Sequence, residues 1–379
     1  MYDFDTLIDR RGTGSLKWDR FNEPDVIPMW VADMDFQAPP PVLDALRRHV
    51  EHGIFGYAIP TVELTETLCR MLWERFRWRV DPTWMVWLPG LVTGLNLACR
   101  AVGDVGSDVM TTTPIYPPFL SAPRESGRGL VTVPMQNVSN RWVLDTTDCE
   151  RARTARTKLF LLCHPHNPTG RLFTLDELTE IGDFCLAHDI AICSDEIHCD
   201  LVLDNREHIP TATVSAAVAD RTITLMAPSK TFNVPGLSCA YAIIPNQNLR
   251  RRFMAQAGGI VPDVNALGLT ACLAAYRDGY PWLRELLAYL RENRDVVLEA
   301  INGSMPGLSV TPIEATYLAW IDARQARLPD PDRAFLESGV RLSDGALFGT
   351  PGYLRLNFGC SRSLLERGLQ RMSAALARG

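Results

Sequence analysis

Arg221-Thr-Ile-Thr-Leu-Met-Ala-Pro-Ser-Lys-Thr-Phe-Asn-Val-Pro-Gly-Leu237 reads as a strand that stops in a loop. The run 221–226 is strand-like, and the Pro, Ser, Asn and Gly that follow it break any regular element. Lys230 stands in that loop, the kind of place where a rigid scaffold holds reactive side chains. It is one of only three lysines among 38 basic residues, the others being Lys17 and Lys158. Arginine serves wherever a plain positive charge is needed, yet arginine neither forms an imine nor loses its proton at working pH. Lys230 is therefore a candidate Schiff-base nucleophile, able to hold an aldehyde cofactor and, once released, to carry protons for a substrate. An arbitrary lysine is a solvated surface cation; here the placement argues otherwise.

Working outward, further short apolar strands are expected at 109–112, 159–163, 190–193 and 240–244. Helical periodicity lies between them. Thr174-Leu-Asp-Glu177 is a capping box opening a helix that carries Leu178, Ile181 and Cys185 on one face. Strands alternating with helices indicate a mostly parallel sheet covered by helices. Ligands bind such sheets beyond the carboxyl ends of the strands. Four of the five strands end at polar loops: Thr113-Pro-Ile-Tyr116, His164-Pro-His-Asn-Pro-Thr-Gly170, Ser194-Asp-Glu-Ile-His198 and Ser229-Lys-Thr231. The C-terminal third changes character, with a helix expected over 282–300, strands at 317–321 and 353–357, and a final helix capped at Ser363-Leu-Leu-Glu366. The expected fold class is α/β. Residues 51–275 would form a large domain and 276–379 a small α+β domain, joined by part of the segment 1–50.

Bulk properties exclude several classes. A chain of 379 residues exceeds a typical single core. A net charge of −6 provides no basic field for nucleic acid. The first eleven residues carry acids and no apolar core of a secretory signal. No apolar run approaches the roughly 20 residues that span a bilayer. Ten cysteines without a C-x-x-C pair read as reduced residues of a cytoplasmic protein.

Taken together, six segments carry a resemblance: Pro28-Met-Trp-Val-Ala-Asp-Met-Asp-Phe36, His52-Gly-Ile-Phe-Gly-Tyr57, Cys163-His-Pro-His-Asn-Pro-Thr-Gly170, Ser194-Asp-Glu-Ile-His198, Ala227-Pro-Ser-Lys-Thr-Phe-Asn233 and Leu354-Arg-Leu-Asn357. Singly each is weak. In this order, over nearly the whole chain, they resemble the fold-type I pyridoxal phosphate enzymes of the aminotransferase class I/II superfamily, and within it the MalY/PatB branch of cystathionine β-lyase-like carbon–sulfur lyases.

The resemblance implies pyridoxal 5′-phosphate bound to Lys230, and the residue chemistry agrees. Asp195 would face the pyridine nitrogen and keep it protonated. Asn167 would donate to the phenolic oxygen. Tyr116 would stack on the ring and is, with Lys230, a candidate catalytic residue. Gly90-Leu-Val-Thr-Gly94 opens an apolar helix, 95–102, whose first amides suit a phosphate. Val92 and Thr93 are assigned to it, with Ser229 adding a hydroxyl. His198 would support the oxygen side of the cofactor. Arg355 resembles the arginine that grips a substrate α-carboxylate through its planar fork, with Asn357 beside it. Tyr57 matches a tyrosine that reaches into the neighbouring subunit's site, implying a homodimer. Three positions depart from the pattern: His164, Phe358, and the short segment 342–352. Phe358 would crowd the substrate side of the pocket.

The implied reaction is α,β-elimination of an amino-acid thioether, a cysteine S-conjugate or cystathionine, to thiol, pyruvate and ammonia. Transamination and decarboxylating oxidative deamination of an S-conjugated cysteine are possible on the same scaffold. A regulatory protein acting through surface contacts is the alternative of another class. A metal site from Cys163, His164, His166 and Asp195 lacks any standard zinc spacing, so no metal is expected.

Overall fold

A computed structural model describes residues 2–21 and 23–378. Its centre is a seven-stranded sheet in the order Met85–Leu88, Ala240–Ile243, Thr222–Met226, Ala191–Asp195, Thr157–Cys163, Asp108–Thr113 and Gly129–Pro134. Only Ala240–Ile243 runs antiparallel to its neighbours. The inner strands are buried on both faces because both faces are covered. Leu159, Leu161 and Cys163 pack with Leu95 and Ala98 of the helix Leu91–Ala101. Phe160 and Leu162 pack on the other side with Leu178 and Ile181 of the helix Leu175–Ala187. Period-two alternation thus splits one strand between two cores. The capping box is formed: Thr174 accepts from the Glu177 amide, and the Glu177 carboxylate accepts from the Thr174 amide at 2.7 Å.

The second sheet is antiparallel, in the order Ser309–Val310, Leu318–Asp322, Tyr353–Asn357 and Ser343–Asp344. The long helix Tyr280–Ser304 and the last helix, Arg362–Leu376, pack against each other. The N-terminal stretch joins this unit by a short parallel pair, Ile27–Pro28 with Val340–Arg341. It continues along Tyr353–Asn357, where Asn357 donates its amide to the Met29 carbonyl at 2.9 Å.

The final helix begins earlier than its Ser-Leu-Leu-Glu motif suggests. Ser361 is the cap residue, Ser363 lies inside the first turn, and no side-chain cap bond forms. The strands Met85–Leu88 and Gly129–Pro134 and the hairpin Gln136–Val138 with Arg141–Val143 were not expected from the sequence. The first two are the edge strands of the main sheet and only partly buried, although Met85-Val-Trp-Leu88 is apolar throughout. The hairpin is a separate two-stranded sheet whose first strand is exposed.

Candidate active site

Three parallel strands end side by side at Cys163, Asp195 and Met226, and the loops that follow converge on one cavity of about 420 Å³. That size suits a small molecule. Lys230, Asp195, Asn167, Tyr116, His198, Ser229, Val92 and Arg355 all line it.

The Lys230 amine donates to the Ala32 carbonyl at 2.6 Å. Burial pushes its pKa down to about 8, helped by the Arg355 charge and opposed by Asp33 and Asp195. A neutral, nucleophilic amine is therefore within reach near physiological pH. Asp195 is buried and accepts only the Ile197 amide, at 3.1 Å. Burial pushes its carboxyl up to about 7, against the opposing pull of that amide and of Lys230. No cation pairs with it directly among the described residues. Arg355 is the complementary case. Its Nη2 donates to the Trp30 carbonyl at 2.7 Å and its Nη1 to Asn167 Oδ1 at 3.1 Å, while its buried Nε has no partner. Burial lowers it to about 10. Its guanidinium lies 4.8 Å from the centre of the Phe348 ring.

Asn167 spends its side-chain oxygen on Arg355, which leaves its amide group to donate into the cavity. His198 is buried and held neutral, its pKa pushed down to about 3 by burial with the Lys230 and Arg355 charges adding to the effect, and its Nδ1 has no partner. Burial raises the Tyr116 hydroxyl, so it stays protonated. The helix Leu91–Ala101 starts at Gly90 with no side-chain cap, leaving its first amides for an external acceptor. These features fit pyridoxal 5′-phosphate: an amine for the aldehyde, an unpaired carboxylate for the ring nitrogen, an amide donor for the ring oxygen, and a helix start for the phosphate.

Three expected residues do not line the cavity. Thr93 follows Val92 in the first turn of the helix, and its side chain is not among those lining the cavity. Asn357 is buried and donates to the Val31 and Asp33 carbonyls at 2.5 and 2.7 Å, so it shapes the wall without reaching substrate. Tyr57 is fully exposed and sits in a separate groove with Ile260 and Asp263. Phe358 does not crowd the pocket either: it is wholly buried, and its amide donates to the Tyr317 carbonyl at 2.9 Å. Of the residues weighed and set aside as a metal group, His164 lies 4.5 Å from His208, ring centre to ring centre, and tilted to it. No group of three or more His, Cys, Asp or Glu that could hold a metal occurs among the described residues.

Several wall residues carried no sequence signal of their role. Leu16, Ser238, Leu347 and Phe348 come from segments far apart in sequence. Trp30 lay inside the recognised stretch 28–36, which was the available clue. Every carbonyl from Trp30 to Met34 accepts from a side chain elsewhere: Arg355 and Ser343, Asn357, Lys230 and Tyr317, Lys17 and Asn357, then Asn233.

The profile of the aminotransferase class I and II family matches residues 24–372. Cystathionine beta-lyase PatB of Bacillus subtilis is 37% identical over 99% of this chain and 100% of its own length. Protein MalY of Escherichia coli is 33% identical over 97% of each. Among solved structures, OvoB superposes with a TM-score of 0.97 at 45% identity over 100% of both chains. Cystalysin from Treponema denticola, which contains pyridoxal 5′-phosphate, gives 0.94 at 31% identity over 100% of this chain and 99% of its own.

Proposed function

The chain belongs to the aminotransferase class I and II family, and from that premise we propose that it is a pyridoxal 5′-phosphate-dependent carbon–sulfur β-lyase. It converts a cysteine thioether and water to a thiol, pyruvate and ammonia. One observation carries the reading: an amine of lowered pKa, a buried carboxylate with no ion-pair partner among the described residues and a buried guanidinium with no carboxylate partner among them share one cavity. Full-length likeness to PatB supports the choice of reaction.

When bound, the cofactor supplies an aldehyde for an amine and a protonated ring that accepts the electron pair of a broken Cα–H bond. The residues do the rest. Arg355 holds the substrate α-carboxylate and fixes which bond at Cα points toward Lys230. Lys230 Nζ, whose neutral form is available near pH 8, would take the Cα proton. Asp195 keeps the ring nitrogen protonated. Asn167 donates to the ring oxygen, with neutral His198 on the same side. Tyr116 would stack on the ring, and its hydroxyl, kept protonated by burial, would serve as a proton donor to the departing sulfur. The amides at Val92 and Thr93 and the Ser229 hydroxyl hold the phosphate.

The homodimer is part of this reading, with Tyr57 reaching the neighbouring subunit's site. Its support is an uncovered apolar strip: Ile54, Phe55, Tyr57, Ile59 and Ile260 are each more than half exposed, more than a lone chain leaves in water. The division into 1–50, 51–275 and 276–379 is likewise proposed, since the seven-stranded sheet lies within residues 85–243 and the four-stranded one within 309–357. A cytoplasmic setting accords with ten cysteines that are all unpaired. No described helix is long and apolar enough to cross a membrane.

The test is to load the protein with cofactor, supply a cysteine thioether, and assay pyruvate, free thiol and carbon dioxide. Thiol and pyruvate in equal amounts are expected. Carbon dioxide, or an amino-group acceptor being required, would overturn the lyase. The wild type should be yellow with a borohydride-reducible band, and Lys230→Ala should lose that reducibility.

A further inference from the structure

Outside the reacting groups the cavity has a second wall that the reaction does not use. The N-terminal arm contributes Leu16 and Trp30, and the turn Gly345–Phe348 contributes Leu347 and Phe348. Leu16 is 56% and Leu347 62% exposed. Two leucines left in water at the mouth of the site are costly unless something covers them. Trp30 is rigidly placed between polar and aromatic neighbours. Its indole nitrogen donates to the Lys17 carbonyl at 3.1 Å, and its ring meets Phe21 at 5.5 Å, with Arg341 3.9 Å from the Phe21 ring centre.

Charge decides what this wall accepts. The charged side chains lining the cavity are Asp195, Lys230 and Arg355, and each already has a partner in the reaction. None remains for a second carboxylate. Trp30 and Ser343 offer no free donor there either, because the Trp30 carbonyl is taken by Arg355 and Ser343 and the indole by Lys17. Residues 54–62, which the dimer would bring in, contain no charged residue. A flexible chain ending in an ammonium and a carboxylate would be stripped of water against leucine and tryptophan. A flat ring would cover both leucines and stack on fixed aromatic edges.

We propose that the slot between Leu16 and Trp30 on one side and Leu347 and Phe348 on the other binds a planar, uncharged ring carried on or next to the substrate sulfur. This makes the preferred substrate a ring-bearing cysteine S-conjugate rather than cystathionine, and it rests on the lyase reading above.

Binding and turnover are measured separately, so that the two claims fail separately. L-Homophenylalanine has the shape of S-phenylcysteine with a methylene in place of sulfur, and 2,7-diaminosuberate stands in the same way for cystathionine. Calorimetric titration of the loaded enzyme should give homophenylalanine a Kd about tenfold or more below that of diaminosuberate. Equal affinities, or the reverse order, overturn the ring slot. Leu347→Arg, at an exposed position, should bring the two constants close together by supplying a cation and removing the apolar cover; an unchanged ratio also overturns it. In the second arm, pyruvate release should be faster from S-phenylcysteine than from cystathionine, and faster release from cystathionine counts against the slot. Pyruvate from neither, with the binding preference intact, refutes the lyase and supports the slot.

Discussion

Asp195 illustrates what a single residue costs before its partner arrives. Its folded pKa of about 7 lies above the ordinary 3.8, so without cofactor its charge opposes folding, by an amount that grows as pH rises from about 4 and is complete above 7. Cofactor-free Asp195→Asn should therefore melt above the cofactor-free wild type at pH 8, with the gain vanishing toward pH 4. A gain that persists at pH 4 would mean that the charge is not its source. Loaded with cofactor, the same variant should lose turnover on the order of a hundredfold, since an amide cannot hold the ring proton. Lys230 runs the other way. With its pKa lowered to about 8, the fraction of neutral amine rises with pH, so capture of cofactor by the empty protein should accelerate up to about pH 8 and then level off, followed by the growth of the visible band. Arg355→Ala should lower kcat/KM for amino-acid substrates by roughly 2–5 kcal/mol and leave simple amines nearly untouched. Equal losses on both would make Arg355 structural. These residues were legible because their chemistry is scarce: a lysine in a chain that avoids lysine, a carboxylate at the end of an apolar strand. Asn357 was not, because its motif carries no sign that the amide would turn toward the Val31 and Asp33 carbonyls.

At the scale of elements, the stretch 30–36 does as much as any strand. It has no regular structure of its own along most of its length, and it is held by side chains that arrive from the whole chain. Beneath it Asp35 accepts from Lys17, Arg10 and Trp18 at 2.7, 2.7 and 2.8 Å. Lys17 is only 3% exposed, and both Leu16 and the anchor of Trp30 hang on it. Lys17→Met should destabilise the protein by about 3 kcal/mol, since a buried carboxylate loses one of its cations. It should also weaken ligand binding more than Lys158→Met does, read from denaturation midpoints and from calorimetry. No loss of stability would show that Arg10 alone suffices. Such long-range pinning explains the limits of the sequence reading. Inner strands such as Thr222–Met226, placed to within one residue, and Tyr353–Asn357, placed to the residue, were found because apolar runs bounded by breakers report burial directly. The edge strand Met85–Leu88 is a run of only four apolar residues and only partly buried, and the final helix was capped two residues late because Ser361 makes no capping bond. A segment without periodicity, such as 30–36, reveals its role only when its partners are in view.

The whole molecule poses the question of where the site ends. Asn167, Asp195, Lys230 and Arg355 meet within one chain, yet Tyr57 stands fully exposed beside Ile260 in a groove lined by residues 55–58 and 259–267. Either Tyr57 serves no site, or it serves one in another copy of the chain. The expected fold class was legible at this scale, since alternating strands and helices permit few alternatives, whereas the proposed assembly rests on a likeness of the segment 52–57, because surface apolar residues have no periodicity to betray their cover. Sedimentation should find a dimer, and Ile59→Glu should shift it toward monomer by placing a charge in the apolar strip. The sharper test mixes two inactive variants. Tyr57→Ala and Lys230→Ala each spoil both sites of their own dimer if Tyr57 acts across the interface. After the two are unfolded and refolded together, a mixed dimer has one site with the intact lysine of one chain and the intact tyrosine of the other. Half the dimers are mixed and each has one good site of two, so the mixture should recover roughly a quarter of wild-type activity. If Tyr57 acted within its own chain, every site would lack either the lysine or the tyrosine, and the mixture would stay as inactive as its parts.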